Sequence, residues 1–351
     1  MWVSIVKAAI LLGQGKLEIR ETCTPICPSG GVLVNVRACG ICSTDVKMVT
    51  KGHRALVYPR ILGHEISGVV AESRTKRFKE GDRVQVGPGL RCAKCSQCLR
   101  GSDNQCKDRG ILGFTHDGGF AQYVAIPMEG PAVGALTILP GDVSHENATL
   151  AEPTACCINA QDRVGIIEGD TVLIIGAGPL GLLHAFVARH NGAKKIIISE
   201  ILEDRQATAV RFGADSIINP KKEDLFQAVM NETNEKKLDV VIFACSQTGL
   251  DERFIELLAP GGRISIFSGM SPLLSRVMLD LNIIHYNEII ITGSYGCTSR
   301  QNSQAISLIA SGKFPAGELI TGRFTLDNIK EGLEHTSAKT GLKSIVEVKY
   351  E

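Results

Sequence analysis

The sequence lacks a long apolar run, an excess of charge of either sign, and any repeated or low-complexity tract. No stretch of about eighteen consecutive apolar residues occurs, so it contains no candidate transmembrane helix. The N-terminal segment MWVSIVKAAILLGQGKLEIR has neither a basic start nor a small-residue cleavage site, which argues against a secretory leader. These absences favour a cytoplasmic protein.

Acidic and basic residues nearly cancel, leaving a formal net charge of +1. The molecule therefore creates no long-range field that would draw it as a whole to nucleic acid or to anionic lipid. With 351 residues, 44% of them hydrophobic, the chain can bury a substantial core, and a chain of that length normally divides into two domains. Composition thus predicts a two-domain protein that acts on a small molecule.

Strand and turn patterns differ between parts of the chain. Residues 1–155 contain short strands interrupted by glycine and proline, which is typical of an irregular, mainly β domain. From about residue 170 to residue 292, β-branched runs such as KIII, DVVIF and RISIF alternate with amphipathic segments of helix length. This alternation indicates a parallel sheet with crossover helices. The remaining tail has helix, strand, helix and strand patterns that could join either domain.

A glycine-rich turn follows the first strand of the α/β part. Gly176, Gly178 and Gly181 have G-x-G-x-x-G spacing, and a helical segment starts at Pro179 and Leu180. The first glycine permits a tight turn, the second lets a pyrophosphate approach the backbone, and the third lets the helix pack closely. Because the helix N-terminus offers free N–H groups to phosphates, the segment predicts a dinucleotide site.

The next strand ends at Glu200, where an acidic side chain can bind the ribose hydroxyls of the adenosine. Its carboxylate would also repel a 2′-phosphate, which favours NAD over NADP. Arg205 stands about one helical turn further along and could accept such a phosphate. The preference for NAD therefore stays open to test.

The chain has twelve cysteines, and clustered cysteines in a reducing compartment bind metal or perform redox chemistry more often than they form disulfides. Cys39 and Cys42 form a C-x-x-C pair, which is also found in redox dithiols. Four others lie within one short segment, RCAKCSQCLRGSDNQC: Cys92, Cys95, Cys98 and Cys106. Their spacing is typical of a closed tetrahedral zinc site. A nucleic-acid-binding zinc ribbon is not favoured, since neither a basic stripe nor interleaved aromatic residues accompany them.

Three separated segments supply a thiolate, an imidazole and a carboxylate. They are ACGICSTDVK with Cys42, LGHEISG with His64, and LAEPTACC with Glu152, just before Pro153 at an expected helix break. Together these groups can form a catalytic zinc site with an open position for substrate. Each residue alone would more often be an ordinary core or surface group, so their joint presence beside a dinucleotide motif carries the prediction.

These motifs, in this order and together with DGGFAQY and ITGRFTLDNIKEGLE, resemble the zinc-dependent medium-chain dehydrogenase/reductase superfamily, especially its sorbitol, threonine and related polyol dehydrogenases. The resemblance covers essentially the whole chain. It implies a GroES-like, mainly β catalytic domain at residues 1–155 and 293–351, with a structural zinc lobe at about residues 90–108. It also implies an inserted α/β Rossmann domain, a doubly wound parallel sheet, at residues 156–292.

The resemblance further implies two zinc ions per chain. It maps Cys42, His64 and Glu152 onto the ligands of a catalytic zinc, with Glu65 as a supporting group or an alternating fourth ligand. Asp45 would hold these ligands in place from behind. The structural zinc would be bound by the four clustered thiolates, namely Cys92, Cys95, Cys98 and Cys106. Cys39 has no ligand counterpart in the family.

The implied reaction is hydride transfer between a secondary alcohol carbon and NAD, with zinc as the Lewis acid. Thr44 would pass the proton of the alcohol outward. Lys47 stands where many relatives carry a relay histidine, so the path beyond Thr44 stays open among Lys47, His53 and water. Ser268 and Gly269 match a strand end that holds the nicotinamide carboxamide in relatives.

The substrate is predicted only as a class: a sugar alcohol, sugar acid, alditol phosphate or cyclitol, with threonine as the alternative. A carboxylate or phosphate could be bound by Lys51, His53 and Arg54 or by Arg276 and His285. An alternative of another class is a non-catalytic zinc-binding or redox-sensing protein with CGIC as a switchable dithiol. The resemblance also predicts a homodimer or homotetramer that pairs through the IIITGSYG strand, with no nucleic-acid or membrane partner.

Overall fold

The computed structural model describes residues 5–349. The chain forms two compact units: unit 1 contains the residues up to Ala155 and those from Cys297 onward, and unit 2 is Cys156–Gly296. The return point lies a few residues after the position 293 expected from the sequence, because the last strand before it still pairs within unit 2. Among residues 5–349, no helix is both long and apolar enough to cross a lipid bilayer.

The first part of unit 1 consists mainly of short strands. Its elements, which also include a 3₁₀ turn at Asp103–Gln105, are β1 (Ile5–Leu11), β2 (Leu17–Cys23), β3 (Val32–Ile41), α1 (Ser43–Lys51), β4 (Arg60–Ile61), β5 (Glu65–Ser73), β6 (Arg83–Val86), β7 (Gly89–Leu90), α2 (Ser96–Leu99), β8 (Gly110–Ile111), β9 (Tyr123–Ile126), α3 (Glu129–Val133), β10 (Leu136–Ile138) and α4 (His145–Ala148). Helix α5 (Ala151–Val164) contains the boundary to unit 2.

Strands and helices alternate through unit 2, and the tail then completes unit 1. The elements of unit 2 are β11 (Thr171–Ile175), α6 (Pro179–His190), β12 (Lys195–Ser199), α7 (Glu203–Arg211), β13 (Ser216–Ile218), α8 (Leu225–Glu232), β14 (Leu238–Phe243), α9 (Glu252–Glu256), β15 (Leu258–Ile266), α10 (Leu281–Tyr286) and β16 (Ile290–Gly293). The tail contains α11 (Ser299–Ala310), α12 (Ala316–Leu319), β17 (Ile320–Thr325), α13 (Ile329–Ala338) and β18 (Lys343–Glu347). The strand expected over KSIVEVKY reaches Tyr350, which lies outside the described residues.

The main sheet of unit 1 is built from both ends of the chain. Its strand order is β10-β6-β5-β3-β18-β17, and β9 pairs with β3. Strand β18 runs antiparallel to β3, with Ser344 opposite Ile41. Val34, Ile66 and Val346 belong to the apolar core beneath it. The tail therefore packs in the mainly β unit.

Unit 2 contains a six-stranded parallel sheet in the order β13-β12-β11-β14-β15-β16. Its central strands β11 (TVLII) and β14 (LDVVIF) are mostly apolar, as is typical of a parallel sheet that is covered on both faces. The order reverses between β11 and β14, and doubly wound sheets bind ligands at the carboxyl ends of the strands at this point. The glycine-rich turn follows β11 and therefore lies at that edge.

Pro153 does not break a helix, contrary to the expectation from the sequence. Helix α5 begins at Ala151 and continues to Val164, so the proline lies in its first turn. A proline is tolerated there because the N–H groups of the first turn have no partner within the helix. Glu152 consequently lies at the N-terminal end of α5.

His184 is a fully buried histidine on α6 of unit 2. Its ring packs edge-on against Phe267 at a centroid distance of 4.4 Å. The Nε2 atom of Gln161 lies 3.2 Å from its Nδ1 and donates to its backbone carbonyl. Burial lowers the pKa of His184 to about 3. The imidazole is therefore neutral in the folded protein at pH values where an exposed histidine is protonated.

We expect this histidine to make unit 2 sensitive to acid. The unfolded chain binds the proton below about pH 6.5 and the folded protein does not, so stability is complete above that pH and decreases by up to about 1.4 kcal/mol per pH unit toward pH 3. The His184→Gln variant should lose less free energy of unfolding between about pH 6.5 and pH 4.5, measured by urea denaturation. His190→Gln, at an exposed position of the same helix, is the control; an unchanged pH slope in His184→Gln would contradict the expectation.

Candidate metal centres and dinucleotide site

The four thiols of the segment from Cys92 to Cys106 form a compact tetrahedron. The Sγ–Sγ distances are 3.5 Å for Cys92–Cys106, 4.0 Å for Cys92–Cys98, 3.6 Å for Cys95–Cys98 and 4.0 Å for Cys95–Cys106. All four are free, and a disulfide would need a separation of about 2.05 Å. Four sulfurs at about 2.3 Å from a tetrahedral zinc are separated by about 3.8 Å. The four cysteines therefore fit a zinc ion.

The backbone of the same segment favours thiolates at some of these positions. Backbone N–H groups of Cys98 and Lys107 lower the pKa of Cys95 to about 6. Burial and the neighbouring thiols raise the pKa of Cys98 to about 12. A divalent cation is therefore needed to hold all four sulfurs in the deprotonated state at neutral pH.

A second cluster lies in the main sheet of unit 1. Cys42, His64 and Glu65 each offer one ligand atom, and these atoms lie within 4.8 Å of one another. Cys42 follows β3 and is the N-cap of α1, whereas Glu65 begins β5. Since β3 and β5 are antiparallel neighbours with Gly40 opposite Glu65, the end of one strand lies beside the start of the other. The pairing register thus brings the three side chains together.

Asp45 holds two members of this cluster. It is completely buried, its Oδ2 accepts a hydrogen bond of 2.8 Å from the backbone N–H of Cys42, and its Oδ1 lies 3.3 Å from Nδ1 of His64. This contact leaves Nε2 of His64 as the nitrogen that can bind a metal. Burial alone lowers the pKa of His64, but Asp45 and Cys42 outweigh it and raise that pKa well above its usual value. A bound cation would have to displace this proton.

Lys343 is a member of the site that the sequence analysis missed. It is only 6% exposed, and its Nζ lies 2.5 Å from each carboxylate oxygen of Glu65 and 3.1 Å from the carbonyl oxygen of Ile41. A lysine at the start of the apolar run KSIVEV was the available signal, because a buried ammonium group needs an anionic partner. The sequence does not indicate which acid supplies it.

Gly40 provides the space for this ion pair. A Cβ atom at position 40 would lie 1.8 Å from Oε2 of Glu65. Any side chain at position 40 would displace the carboxylate of Glu65, which is the partner of Lys343. The absence of a side chain at Gly40, near the end of β3, is therefore a condition for the position of Glu65.

Glu152, the predicted third ligand, is not part of the cluster of Cys42, His64 and Glu65. One of its carboxylate oxygens lies within 4.8 Å of the Cys297 thiol. Its charge nevertheless acts on the same lysine: burial lowers the pKa of Lys343, and the charges of Glu65, Cys42 and Glu152 outweigh that effect and raise it. The assignment of Glu152 as a ligand stays a prediction.

The candidates for proton transfer occupy different environments. Thr44 is half-buried in the first turn of α1, while Lys47 is exposed on the same helix. The ring of Phe114 lies 5.5 Å from that of His53 and 5.3 Å from that of His64, so the two histidines share an aromatic neighbour. Partial burial and the charge of Arg54 lower the pKa of His53. His53 can therefore accept a proton at neutral pH.

In unit 2, the glycine turn has the geometry that its spacing requires. Gly176 has φ +100°, and a Cβ atom at Gly181 would lie 1.9 Å from the carbonyl oxygen of Gly176. Gly178 is the N-cap of α6, whose first residues are Pro179 and Leu180. The start of the helix is consequently packed directly against the turn.

Glu200 fastens this turn to the end of β12. Its Oε2 accepts a 2.8 Å hydrogen bond from the backbone N–H of Ala177, and its Oε1 accepts bonds from the N–H groups of Ile201 and Leu202. Each carboxylate oxygen can accept further hydrogen bonds, so ribose hydroxyls can still bind. Nη1 of Arg205 lies 3.6 Å from the position that a Cβ of Gly178 would occupy. A carboxylate and a guanidinium group thus both border the turn.

The other predicted contacts of unit 2 lie at strand ends or on the surface. Ser268 follows β15, and its backbone N–H donates to the carbonyl of Phe243 at the end of β14. A Cβ atom at Gly269 would meet nothing within 4 Å. Arg276 and His285 are exposed, and in unit 1 Lys51 and Arg54 are exposed as well.

The Glu65–Lys343 pair leads to a stability prediction. Lys343→Met leaves a buried carboxylate without its counter-charge and should lower the free energy of unfolding by about 3–5 kcal/mol. Adding Glu65→Gln should restore part of that loss, since it removes the unpaired charge. Lys349→Met, with a side chain that is 76% exposed just after β18, is the control. Urea denaturation measures all four proteins, and equal losses for Lys343→Met and the control would refute the role of the pair.

Comparisons with known proteins agree with both units. A family model described as an alcohol dehydrogenase GroES-like domain matches residues 28–134, and one described as a zinc-binding dehydrogenase matches residues 179–311. Sorbitol dehydrogenase of Bacillus subtilis is 30% identical over 94% of this chain and 93% of its own. L-threonine 3-dehydrogenase of Pyrococcus horikoshii is 34% identical over 92% of this chain and 93% of its own.

A solved structure of a zinc-binding dehydrogenase from Sinorhizobium meliloti, bound to NADP, superposes with a TM-score of 0.89 at 29% identity and covers 98% of this chain and 99% of the other. The GroES-like and Rossmann folds expected from the resemblance are confirmed. With two family models, full-length relatives and the same fold, the chain belongs to the zinc-dependent medium-chain dehydrogenase/reductase superfamily.

Proposed function

We propose that the protein is a zinc-dependent oxidoreductase that transfers a hydride between a secondary alcohol of a polyol or sugar derivative and NAD. The observation that carries this proposal is the cluster of Cys42, His64 and Glu65 in unit 1, in a chain whose unit 2 contains the glycine turn. The sorbitol dehydrogenase relative supports the substrate class. Amino-alcohol oxidation is the second candidate, because the threonine dehydrogenase relative is 34% identical.

Zinc is the cation that suits both donor sets. Four thiolates at tetrahedral separations are typical of a structural zinc site, and a thiolate, an imidazole and a carboxylate are typical ligands of a catalytic one. In the catalytic site Cys42 and His64 would be joined by Glu152, with Glu65 as a supporting group or an alternating fourth ligand. When bound, zinc supplies a Lewis acid that lowers the pKa of an alcohol.

The surrounding residues of unit 1 would orient the ligands and move the proton. Asp45 holds the backbone of Cys42 and faces the ring of His64, so both ligand atoms have defined positions. The hydroxyl of Thr44, two residues after Cys42, would take the proton from the alcohol and pass it outward. Beyond Thr44 we favour His53, which shares Phe114 as a neighbour with His64.

NAD would bind at the turn after β11, with its pyrophosphate at Gly176, Gly178 and Gly181 and the N-terminus of α6. The cofactor supplies the hydride acceptor. The carboxylate of Glu200 at the backbone of this turn favours NAD by repelling a 2′-phosphate. Arg205 borders the same turn, and the Sinorhizobium meliloti relative was solved with NADP. The rate with NAD should therefore be compared with the rate with NADP.

A redox-sensing role for the CGIC pair finds little support. Cys39 is completely buried, and desolvation together with the charges of Asp45 and Glu65 raises its pKa well above the usual value. A reactive dithiol needs an accessible thiolate with a lowered pKa. Cys39 is therefore better explained as a core residue behind the metal cluster.

The first test is the initial rate of NADH or NADPH formation by the zinc-loaded protein. The panel contains sorbitol, xylitol, gluconate, sorbitol 6-phosphate, myo-inositol and threonine. We expect oxidation of at least one sugar-derived alcohol, faster with NAD than with NADP, and loss of activity when a chelator removes the catalytic zinc. A clear rate with threonine alone would favour the second candidate, and no rate with any substrate would contradict the proposal.

Metal content provides a readout that is independent of turnover. The protein should bind two zinc ions per chain, and Cys98→Ser should bind one while retaining the cluster of Cys42 and His64. Cys23→Ser is the matched control, since Cys23 is an exposed free thiol in β2. A protein that binds no second zinc would contradict the catalytic assignment.

We propose in addition that the protein forms a homodimer or a dimer of dimers through β16. This strand is the last in the sheet of unit 2, so one of its edges has no neighbouring strand formed by residues 5–349. Its residues Ile290 and Ile291 are 53% and 37% exposed, and an exposed apolar edge favours pairing with a second copy. Size-exclusion chromatography with light scattering should give two or four chain masses, and a single chain mass at micromolar concentration would contradict pairing.

A cytoplasmic location is proposed on the state of the thiols. No disulfide joins any of the twelve cysteines, including the exposed Cys23 and the members of both clusters. Unpaired thiols persist in compartments where cellular reductants keep them reduced, whereas secreted proteins of this cysteine content commonly form disulfides. Fractionation of the native host, followed by detection of the protein, tests the location.

A further inference from the structure

Arg91 is a buried arginine without a partner in the described part of the chain. The residue is only 8% exposed, and its Nε and Nη1 atoms are enclosed without a hydrogen bond to any residue from 5 to 349. It forms no ion pair within the same described part of the chain. In the same unit, the buried ammonium group of Lys343 is paired with Glu65.

A buried guanidinium group without a partner is unfavourable. Arginine stays protonated at any physiological pH, so it cannot avoid the cost of burial by losing its charge as a lysine or histidine can. Buried charges in proteins are accordingly paired or hydrogen-bonded. An anionic partner that is not part of the protein chain would compensate the buried charge of Arg91.

The backbone makes room for this guanidinium group. A Cβ atom at Gly89 would lie 2.2 Å from Nη2 and 2.4 Å from Cζ of Arg91. The arginine therefore folds back over β7 and occupies the volume that a side chain at position 89 would need. Any other residue at position 89 would displace it.

The position of Gly89 connects Arg91 to the catalytic cluster. Gly89 pairs with Ile111 of β8, and the N–H of Leu112, the next residue, donates to the carbonyl of Pro88 at 2.9 Å. The segment that follows β8 packs on the residue before His64: a Cβ at Gly113 would lie 2.8 Å from the carbonyl oxygen of Gly63.

Two residues further along, the ring of Phe114 lies 5.3 Å from the ring of His64. Strands β7 and β8 and the turn after β8 thus form one connected piece of unit 1. Arg91 directly follows β7, and Phe114 at the other end of this segment packs against His64. An anionic group of a substrate bound at the cluster of Cys42, His64 and Glu65 would have to follow this segment to meet the guanidinium group.

We propose that Arg91 binds the carboxylate or phosphate group of an acidic sugar derivative whose alcohol carbon is oxidised at this cluster. The proposal rests on the proposed function and narrows its substrate class from polyols in general to those that carry an oxyanion. A planar guanidinium group pairs with the two oxygens of a carboxylate or phosphate through parallel N–H donors. A neutral polyol has no charge with which to compensate Arg91.

The test compares Arg91→Gln with the wild-type holoenzyme on matched acidic and neutral substrates. Gluconate and sorbitol 6-phosphate are the acidic probes, and sorbitol is the neutral one. We expect Arg91→Gln to lower kcat/KM for one acidic probe by about 10- to 100-fold, the loss typical of a charged hydrogen bond, with sorbitol changed less than about threefold. Whichever of the two acidic probes loses more identifies carboxylate or phosphate as the group bound.

Binding is measured separately from turnover, by titration calorimetry of gluconate and sorbitol 6-phosphate into the zinc-loaded protein with NADH. Arg91→Lys, which keeps the charge, should retain part of the affinity that Arg91→Gln loses. Arg100→Gln, at an exposed arginine of the same cysteine-rich segment, should retain all of it. These variants distinguish a bound anion from a general loss of folding.

Three results separate this proposal from its alternatives. If Arg91→Gln loses the structural zinc while the preference for acidic over neutral probes is unchanged, the arginine compensates the thiolates of Cys92 to Cys106 and the proposal is wrong. If sorbitol is oxidised and neither acidic probe binds more tightly than sorbitol, the proposal fails and the proposed function stands. If an acidic probe binds through Arg91 and no substrate is oxidised, the anion site stands and the proposed function fails.

Discussion

The buried contact between Glu65 and Lys343 joins two parts of unit 1 that are 278 residues apart in sequence. It forms only when β18 pairs with β3, because β3 also pairs with β5 and thereby brings Glu65 to the same place. A buried ion pair contributes little net stability, since desolvation offsets much of the attraction, but an incorrect register would leave two charges unpaired. The pair therefore specifies how the tail of the chain closes the sheet beside the cluster of Cys42, His64 and Glu65.

The same pair determines the electrostatics of the cluster. Cys42, Glu65 and Glu152 all act on the one ammonium group of Lys343, while Asp45 acts on His64. Three carboxylates, those of Asp45, Glu65 and Glu152, thus act on the cluster, and this negative charge favours a divalent cation there. Gly40 permits this density of charge because a side chain at its position would overlap the carboxylate of Glu65.

Each buried cation of unit 1 has a different consequence for function. Lys343 has its counter-charge in the protein and so holds the carboxylate of Glu65 next to Cys42 and His64 whether or not substrate is bound. Arg91 has none among residues 5–349, and it lies on the piece of structure that packs against His64. In unit 2, a buried carboxylate is bound by backbone groups and not by a lysine or arginine. The N–H groups of Ala177, Ile201 and Leu202 donate hydrogen bonds to Glu200.

The sequence by itself determined the features whose causes are local. The tetrahedron of four cysteines follows from spacing within one short segment, and the turn at Gly176 follows from three glycines between a strand and a helix. The order of the motifs was enough to predict the family and both folds, and it singled out Cys42 and His64 before their strands were known. Physical constraints between neighbouring residues leave few alternatives in such segments.

Only the tertiary structure decided the features that depend on distant partners. Pro153 lies in the first turn of α5, which begins at Ala151, and the sequence pattern does not show on which side of the proline the helix lies. The acid that pairs with Lys343, and the absence of any partner for Arg91, depend on which strands become neighbours. Both lysine and arginine are ordinary in sequence, and only burial beside a particular strand gives them a role, since the cost of an unpaired charge arises from the loss of water.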